Sequence, residues 1–585
     1  MRNRSPSYRV ALALLVLAAF AVRAASLDAQ SMWRDEVDAV RFSTGPWAEI
    51  LSSFARPGWN GPFYFLLLRG WIALAGPSEY ATRFFSLAFG VLGVPLVYAL
   101  GRRLFDRQVG LLAALLMAAS PYLTWYSQEA KMYTLVAALA LIAIYGLRRA
   151  VEGAGWGWWA VQIVATSLAF YAHILAALLV PVQVLLYFAW WPQARRQWAG
   201  ALASLACLTL PYLPLALWQA PLVLQARETG FYAYALDEMV KILLNGWSTG
   251  ILSWGRPWAT VLISTLAVWG LVGPVGRTLA KVQQPASRQE VLHPPGTPPA
   301  PVQFATFARV ADWANRLALL GWLAIPLLAV WLISLRQPLF TDRYLIWTAP
   351  AFYLLVALGL ASLCRLGGYG RRAWTTVARG PGARRDLVRT LGGTLGWAAA
   401  VLLAGTILAC DSANLWRQAS VPIKSDFRAA AAYVASYRAS DGPTTEHRAS
   451  DEPTVSHATD DKYTFKCFLP LVVRDRYFDE LIVFQIPYGR HTFDYYFPTE
   501  EYPWAEGLYT NHRAPDGSYL MGEQEAAYRM QEMTAGHDVV WLVATEVEMW
   551  DERKLVQAWL DANAQRTDEA HFVRVDVYRY VRRET

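Results

Sequence analysis

Long apolar stretches, broken by short arginine-bearing turns, fill the chain up to residue 410. The hydrocarbon core of a bilayer is crossed by about 20 apolar residues of helix. Stretches of that kind recur at 8–26, 83–101, 108–126, 130–147, 156–172, 174–191, 198–218, 257–273, 317–335, 343–363 and 392–410. The pattern predicts a polytopic α-helical membrane protein of eleven spans. The first stretch, Val10–Val22 behind Arg2, Arg4 and Arg9, also has the form of a signal peptide, with Ala24-Ala25-Ser26 as a cleavage site. The many similar spans behind it favour an uncleaved first helix.

The loop between the first two spans, residues 27–82, is too apolar to lie free in water. Pro46–Phe54 and Gly61–Leu74 each carry proline near the first helical turn, a favoured place for it. Arg69 sits in the middle of the second segment and argues against a span there. Both segments are expected to be helices lying in the membrane interface. A cytoplasmic loop at 278–316 holds Pro285, Pro294, Pro295, Pro298, Pro299 and Pro301, and its 285–301 stretch reads as an irregular linker.

Past residue 412 the pattern changes. Lys424–Tyr437 and Trp550–Ala562 read as helices, and Leu481–Ile486, Val539–Ala544 and His571–Tyr578 as strands. The chain thus divides into a membrane domain, 1–412, and a soluble α/β domain, 413–585. Within the latter, Arg438–His447 is repeated as Arg448–His457, which marks a loop that tolerates insertion. The repeat alone accounts for the spacing of His447 and His457 without a metal.

Composition agrees. The 585 residues are 55% hydrophobic and 17% charged, where globular domains carry about 25% charge. Twenty-seven Trp and 29 Tyr suit interfacial positions. The net charge of +8 does not point to nucleic acid, because the arginines cluster between spans. Arg102, Arg103 and Arg107; Arg148 and Arg149; Arg195 and Arg196; Arg277 and Lys281; and Arg365 to Arg389 fall on one side with the amino terminus. The positive-inside rule makes that side the cytoplasm. Eleven spans then place residues 413–585 outside the cytoplasm, in a protein of the plasma membrane. The four cysteines show no CxxC spacing and no disulfide framework.

Three turns expected on the outer face, with one histidine, hold nearly all the polar groups suited to chemistry. They are Arg34-Asp35-Glu36; Tyr126 to Tyr133, with Glu129 and Lys131; Arg336 to Tyr344, with Arg343; and His173. Acidic groups so near a membrane helix end are costly unless paired or used. Glycosyl transfer needs a base for an acceptor hydroxyl and positive charge on a departing phosphate. Asp35 can serve as the base, and Lys131, Arg343 and Arg34 can meet the phosphate. Glu36 and Glu129 complete the candidate catalytic acids, orienting the cations or binding acceptor. His173 and Tyr344 join the substrate-binding set. Snorkelling to the interface explains Lys131 or Arg343 singly, and a turn histidine explains His173.

The acidic pair after the first helix, Gly61-Pro62-Phe63-Tyr64, Ser127–Tyr133, Tyr171-Ala172-His173 and Pro338–Tyr344 together resemble the GT-C superfamily of membrane glycosyltransferases. The branch is that of the dolichyl-phosphate-mannose-protein mannosyltransferases, with the lipid A aminoarabinose transferases as relatives. The resemblance covers residues 8–410. It implies a polyprenyl-phosphate-sugar donor, an extracytoplasmic active site, inversion at the sugar carbon by direct displacement, Asp35 as the catalytic member of the acidic pair and Glu129 as the second acidic site residue. Where the family often has His-Pro-Pro, this chain has Asn60-Gly61-Pro62. The missing histidine weakens the case for a divalent metal, so no cofactor is expected. The rival readings are an oligosaccharyltransferase-like or polymerase-like transferase and a lipid-linked sugar flippase. A flippase favours interrupted helices in two halves with charges at mid-membrane, whereas the charges here sit at helix ends.

Overall fold

The structure is a computed structural model that describes residues 7–52, 60–224, 231–252, 256–273, 300–377, 383–440, 480–497 and 502–583. Most of the proline-rich linker and most of the duplicated segment, including His447 and His457, lie outside the described residues. The described residues fall into two compact units. One comprises Met1–Ala29 with Ala39–Val421, the other Gln30–Asp38 with Pro422–Thr585. A short piece of the first long loop therefore groups with the C-terminal part of the chain.

The first unit is helical. Among the described residues, seven helices are long and apolar enough to cross a membrane: Ser7–Ala24, Glu79–Leu104, Tyr133–Val151, Trp191–Trp218, Val310–Ser334, Asp342–Cys364 and Leu395–Ser420. The bent pair Arg107–Ala119 and Pro121–Ser127 makes an eighth if it is one span. Three further expected spans coincide with the shorter helices Trp156–Ala172, Ile174–Ala189 and Pro257–Val272. The loop expected at 278–316 ends earlier, because helix Ala300–Ser334 already runs through its last part.

The 59° bend has a local cause. Pro121 has no N–H to donate, and Ser120 caps the new helix by accepting from the Leu123 amide at 3.1 Å. Carbonyls released at such a break need donors, since the bilayer core has no water. Arg23, fully buried, donates to Ala118 O at 3.0 Å, Met117 O at 2.9 Å and Ser127 Oγ at 3.2 Å. This is why an arginine ends the first apolar helix.

Residues 27–82 form the helices Arg34–Thr44, Trp47–Ser52 and Phe63–Ala75. Tyr64, Leu68 and Ile72, four apart and so on one helical face, are buried. They dock the last helix against Glu79–Leu104, where Trp71 Nε1 donates to Ala81 O at 2.7 Å and Tyr64 meets Ser86 at 3.0 Å. The mid-helix Arg69 donates to Ser43 O at 3.1 Å and Gly45 O at 2.6 Å. Gly61 admits no side chain, since a Cβ there would lie 2.2 Å from the Tyr171 carbonyl oxygen.

Several of the basic turns sorted together by sequence share one end of this unit. Arg103 donates to Glu152 at 2.7 Å, Arg148 forms an ion pair with the same carboxylate at 2.9 Å, and Arg148 lies 4.9 Å over the Trp190 ring.

The C-terminal unit is a five-stranded mixed sheet, β1 Glu480–Phe484, β2 Trp504–Glu506, β3 Val539–Ala544, β4 Ala564–Phe572 and β5 Val575–Arg582, in the order β2-β1-β3-β5-β4. β1 runs parallel to β2 and β3, and β5 is antiparallel to β3 and β4. Alternate residues of β1 serve opposite faces. Ile482 and Phe484 pack with helix Phe427–Ser440, whereas Leu481 and Val483 pack with helices Glu523–Thr534 and Leu555–Asn563. The expected single strand His571–Tyr578 is instead the end of β4, a tight turn and the start of β5. Arg574 takes φ 57° there. The expected helix Trp550–Ala562 begins at Leu555, because Asp551 stops it and caps Leu555 and Val556 through amide bonds of 3.0 Å each. The helix expected at 424–437 starts at Phe427, where Asp426 accepts from the Ala429 amide at 3.1 Å.

Candidate active site

In the membrane unit, three of the sequence-selected points converge. The turn after Pro121–Ser127 is tight: Lys131 N donates to Glu129 O at 2.7 Å, and Glu129, Ala130 and Ser127 are fully buried. It is tied to its neighbours at two points, one through its backbone and one through a side chain. Ser86, tied to Tyr64 and to Thr134, donates to Lys131 O at 2.9 Å, and Gln128 donates to Arg23 O at 2.8 Å. The half-buried Lys131 side chain therefore leaves a fixed backbone.

Helix Tyr133–Val151 then begins, with Tyr133 as a hub. Its ring lies 5.7 Å from Tyr126, 6.2 Å from His173 and 6.4 Å from Tyr344, while His173 and Tyr344 stand 4.9 Å apart. The Arg343 guanidinium lies 5.7 Å from the Tyr133 ring and 6.0 Å from the Tyr344 ring, a cation–π arrangement. His173 ends helix Trp156–Ala172, and its Nδ1 accepts from the Leu175 amide at 3.3 Å. Burial, with Arg343 nearby, pushes the imidazole down to about 3. A neutral His173 orients neighbours without adding charge. Asn60 accepts from the Ile174 amide at 3.4 Å.

Two residues in this cluster escaped the sequence reading. Asp342 accepts from the Tyr126 hydroxyl at 2.9 Å, and the Tyr122 hydroxyl donates to the Asp342 carbonyl at 2.9 Å. The carboxylate next to Arg343 is thus engaged by Tyr126, and its backbone carbonyl by Tyr122. The only signal available was its adjacency to Arg343 in Thr341-Asp342-Arg343.

The acidic segment belongs to the other unit. Asp35 and Glu36 occupy the first turn of helix Arg34–Thr44, where carboxylates suit the helix dipole. Asp35 is half-buried. Glu36 is fully buried and pairs with Lys424 at 2.8 Å. Arg34 stacks 3.9 Å over the Tyr488 ring and stands 3.6 Å from Asp38. Tyr488 in turn bonds Glu546, and burial with this bond holds its phenol above the usual range. No sequence pattern announces Lys424, which lies 388 residues from its partner.

Among the described residues, no group of three or more His, Cys, Asp or Glu is placed to hold a metal ion.

Residues 57–218 match the family model of the dolichyl-phosphate-mannose-protein mannosyltransferases. The matched stretch includes Glu129, Lys131 and His173 but neither Asp35 nor Arg343. No curated protein matches the chain in sequence. Among solved structures, the chain is similar to the archaeal oligosaccharyltransferase AglB from Archaeoglobus fulgidus, in complex with an inhibitory peptide and a dolichol-phosphate. That likeness has 13% identity and a TM-score of 0.50 over 99% of this chain and 74% of that one. It is also similar to ArnT from Cupriavidus metallidurans bound to undecaprenyl phosphate, with 14% identity and a TM-score of 0.50 over 98% of each chain. At these identities the likeness is one of fold.

Proposed function

We propose that this chain, an integral membrane protein with the fold of the GT-C glycosyltransferases, transfers a single sugar from a polyprenyl-phosphate carrier to an acceptor outside the cytoplasm. Asp35 takes the proton of the acceptor hydroxyl. The oxygen attacks the anomeric carbon from the face opposite the leaving group, the bond from that carbon to the phosphate oxygen breaks, and the configuration inverts. The lipid phosphate departs with the electron pair, and its charge is met by Lys131 and Arg343. Glu129 orients these cations, while His173 and Tyr344 shape the floor beside Arg343. Arg34, engaged with Tyr488 and Asp38, is given no part in holding the phosphate. No metal enters the reaction.

The observation that carries this reading is the convergence of Arg343, Tyr133, Tyr344 and a neutral His173 beside the Lys131 turn. Arginine over aromatic faces keeps its fork of donors directed at a planar or tetrahedral oxyanion. The arginine-rich turns support a cytoplasmic amino terminus and, with it, an extracytoplasmic C-terminal unit; residence in the plasma membrane is part of the same proposal.

The test is incubation of the purified protein with a radiolabelled polyprenyl-phosphate sugar and cell-envelope acceptors. Label moving to acceptor, with lipid phosphate released and no loss on adding EDTA, is the expected result. EDTA-sensitive transfer of a whole glycan from a pyrophosphate lipid would replace this reading with an oligosaccharyltransferase-like one. Translocation in proteoliposomes without covalent product would replace it with a flippase.

A further inference from the structure

Open α/β sheets bind their ligands outside the carboxyl ends of parallel strands, at the point where strand order reverses. In the C-terminal unit that edge is formed by the residues after β1 and β3, from Gln485 to Tyr488 and at Thr545-Glu546, with the β4–β5 turn and Ile423–Asp426 beside them. The edge is occupied by the chain's own segment 30–36. Gln30 Oε1 accepts from the Ile423 and Lys424 amides at 3.0 Å and 3.2 Å. The Tyr496 hydroxyl accepts from the Met32 amide at 2.7 Å and lies 3.2 Å from Ser31 Oγ. Ser31 Oγ also accepts from the Arg428 amide at 3.3 Å, and Arg34 covers Tyr488 at 3.9 Å. The Lys424–Glu36 pair, at 5% and 0% side-chain exposure, closes the set.

We infer that the C-terminal unit serves as a clasp for the acidic segment, with Lys424 and Tyr496 as positioning residues for Asp35. The inference rests on the assignment of Asp35 as base. Glu36 and Asp35 are consecutive on one helical turn, so their side chains leave the axis about 100° apart. Fixing Glu36 on Lys424 therefore fixes the rotation of the turn and the direction in which Asp35 projects. It also separates the roles of the two acids. Glu36, fully buried on its ammonium partner, holds the turn, and the half-buried Asp35 is the member of the pair assigned the proton.

The test uses the full-length protein and the polyprenyl-phosphate sugar assay. Lys424→Met is expected to lower kcat on the order of 10²-fold, with donor KM changed by less than about twofold, because misplacement of a reacting group acts on the chemical step. Lys424→Met combined with Glu36→Leu is expected to regain about tenfold of that loss. Replacing both members of a buried ion pair removes the uncompensated charge that replacing one leaves behind. Tyr496→Phe should lower kcat a few-fold and speed hydrogen exchange at the Met32 amide. Wild-type kcat in Lys424→Met overturns the clasp. So does a double variant no better than Glu36→Leu alone, which would make Glu36 a reacting group. If Lys424→Met does not fold, the double variant and Tyr496→Phe carry the test. If the wild type turns over no polyprenyl-phosphate sugar, the proposed activity falls, and unchanged Met32 exchange in Tyr496→Phe would then separately remove the clasp.

Discussion

The two segments that carry the candidate chemistry are held by opposite means. Around the turn at 127–133 the ties end on main-chain oxygens: Ser86 donates to Lys131 O, the turn's own Gln128 side chain reaches Arg23 O, and Arg23 supplies donors at the neighbouring helix break. The segment 30–36 is fixed largely through its side chains: a buried ion pair, a guanidinium on a ring and a carboxamide on two amides. The contrast follows from what each unit has at hand to satisfy its backbone. Inside a bilayer an unmet carbonyl has no water to turn to, so polar side chains are consumed in meeting main-chain oxygens. In the C-terminal unit the sheet and its helices satisfy much of the backbone, and charged side chains are left to specify geometry. Damage to the first kind of anchor should appear as lost stability, and damage to the second as lost chemistry.

Three substitutions and a titration probe this division, from the largest effect to the smallest. Asp35→Asn keeps shape and removes the base. A general base contributes about 10²–10⁴-fold, so kcat should fall by that factor in the labelled-donor assay while the melting temperature stays put. Arg23→Met should do the reverse. It strips donors from Ala118, Met117 and Ser127, and stranded buried polar groups cost about 1–3 kcal/mol each. A clear drop in the thermal midpoint in detergent is expected, with kcat per folded molecule near wild type. Gly61→Ala forces a Cβ against the Tyr171 carbonyl. Overpacking of that kind costs about 1–3 kcal/mol, read as a smaller drop in midpoint. The smallest effect belongs to His571, fully exposed beside Asp576, whose hydrogen bond raises the imidazole above its usual range. A raised folded value stabilises fully below the unfolded one, about 6.5, and the gain disappears as pH rises through the folded value. The melting difference between wild type and His571→Gln should therefore shrink from mildly acidic to mildly alkaline buffer.

The spans and the three polar turns were legible because both depend on residues near one another in sequence. Continuous apolar runs mark the helices, and charges at their ends mark the turns. The partners of Arg69 were not legible: a mid-helix charge shows in the sequence, but the carbonyls of Ser43 and Gly45 that it meets do not. The β4–β5 hairpin was missed because β4 is a polar edge strand, Ala564–Phe572, and the turn uses Arg574 instead of glycine at positive φ. The Lys424–Glu36 pair and the tie from Tyr122 and Tyr126 to Asp342 join positions hundreds of residues apart. No spacing rule reaches that far, and only the fold brings them together.

The central claim is that a polyprenyl phosphate binds at the turns bearing Lys131 and Arg343, and native mass spectrometry of the purified protein tests it most directly. Wild type and Asp35→Asn are predicted to retain a lipid with the mass of a polyprenyl-phosphate sugar, and Lys131→Met combined with Arg343→Gln to lose it. Equal retention by all three, or no lipid of this class on any, would contradict the account.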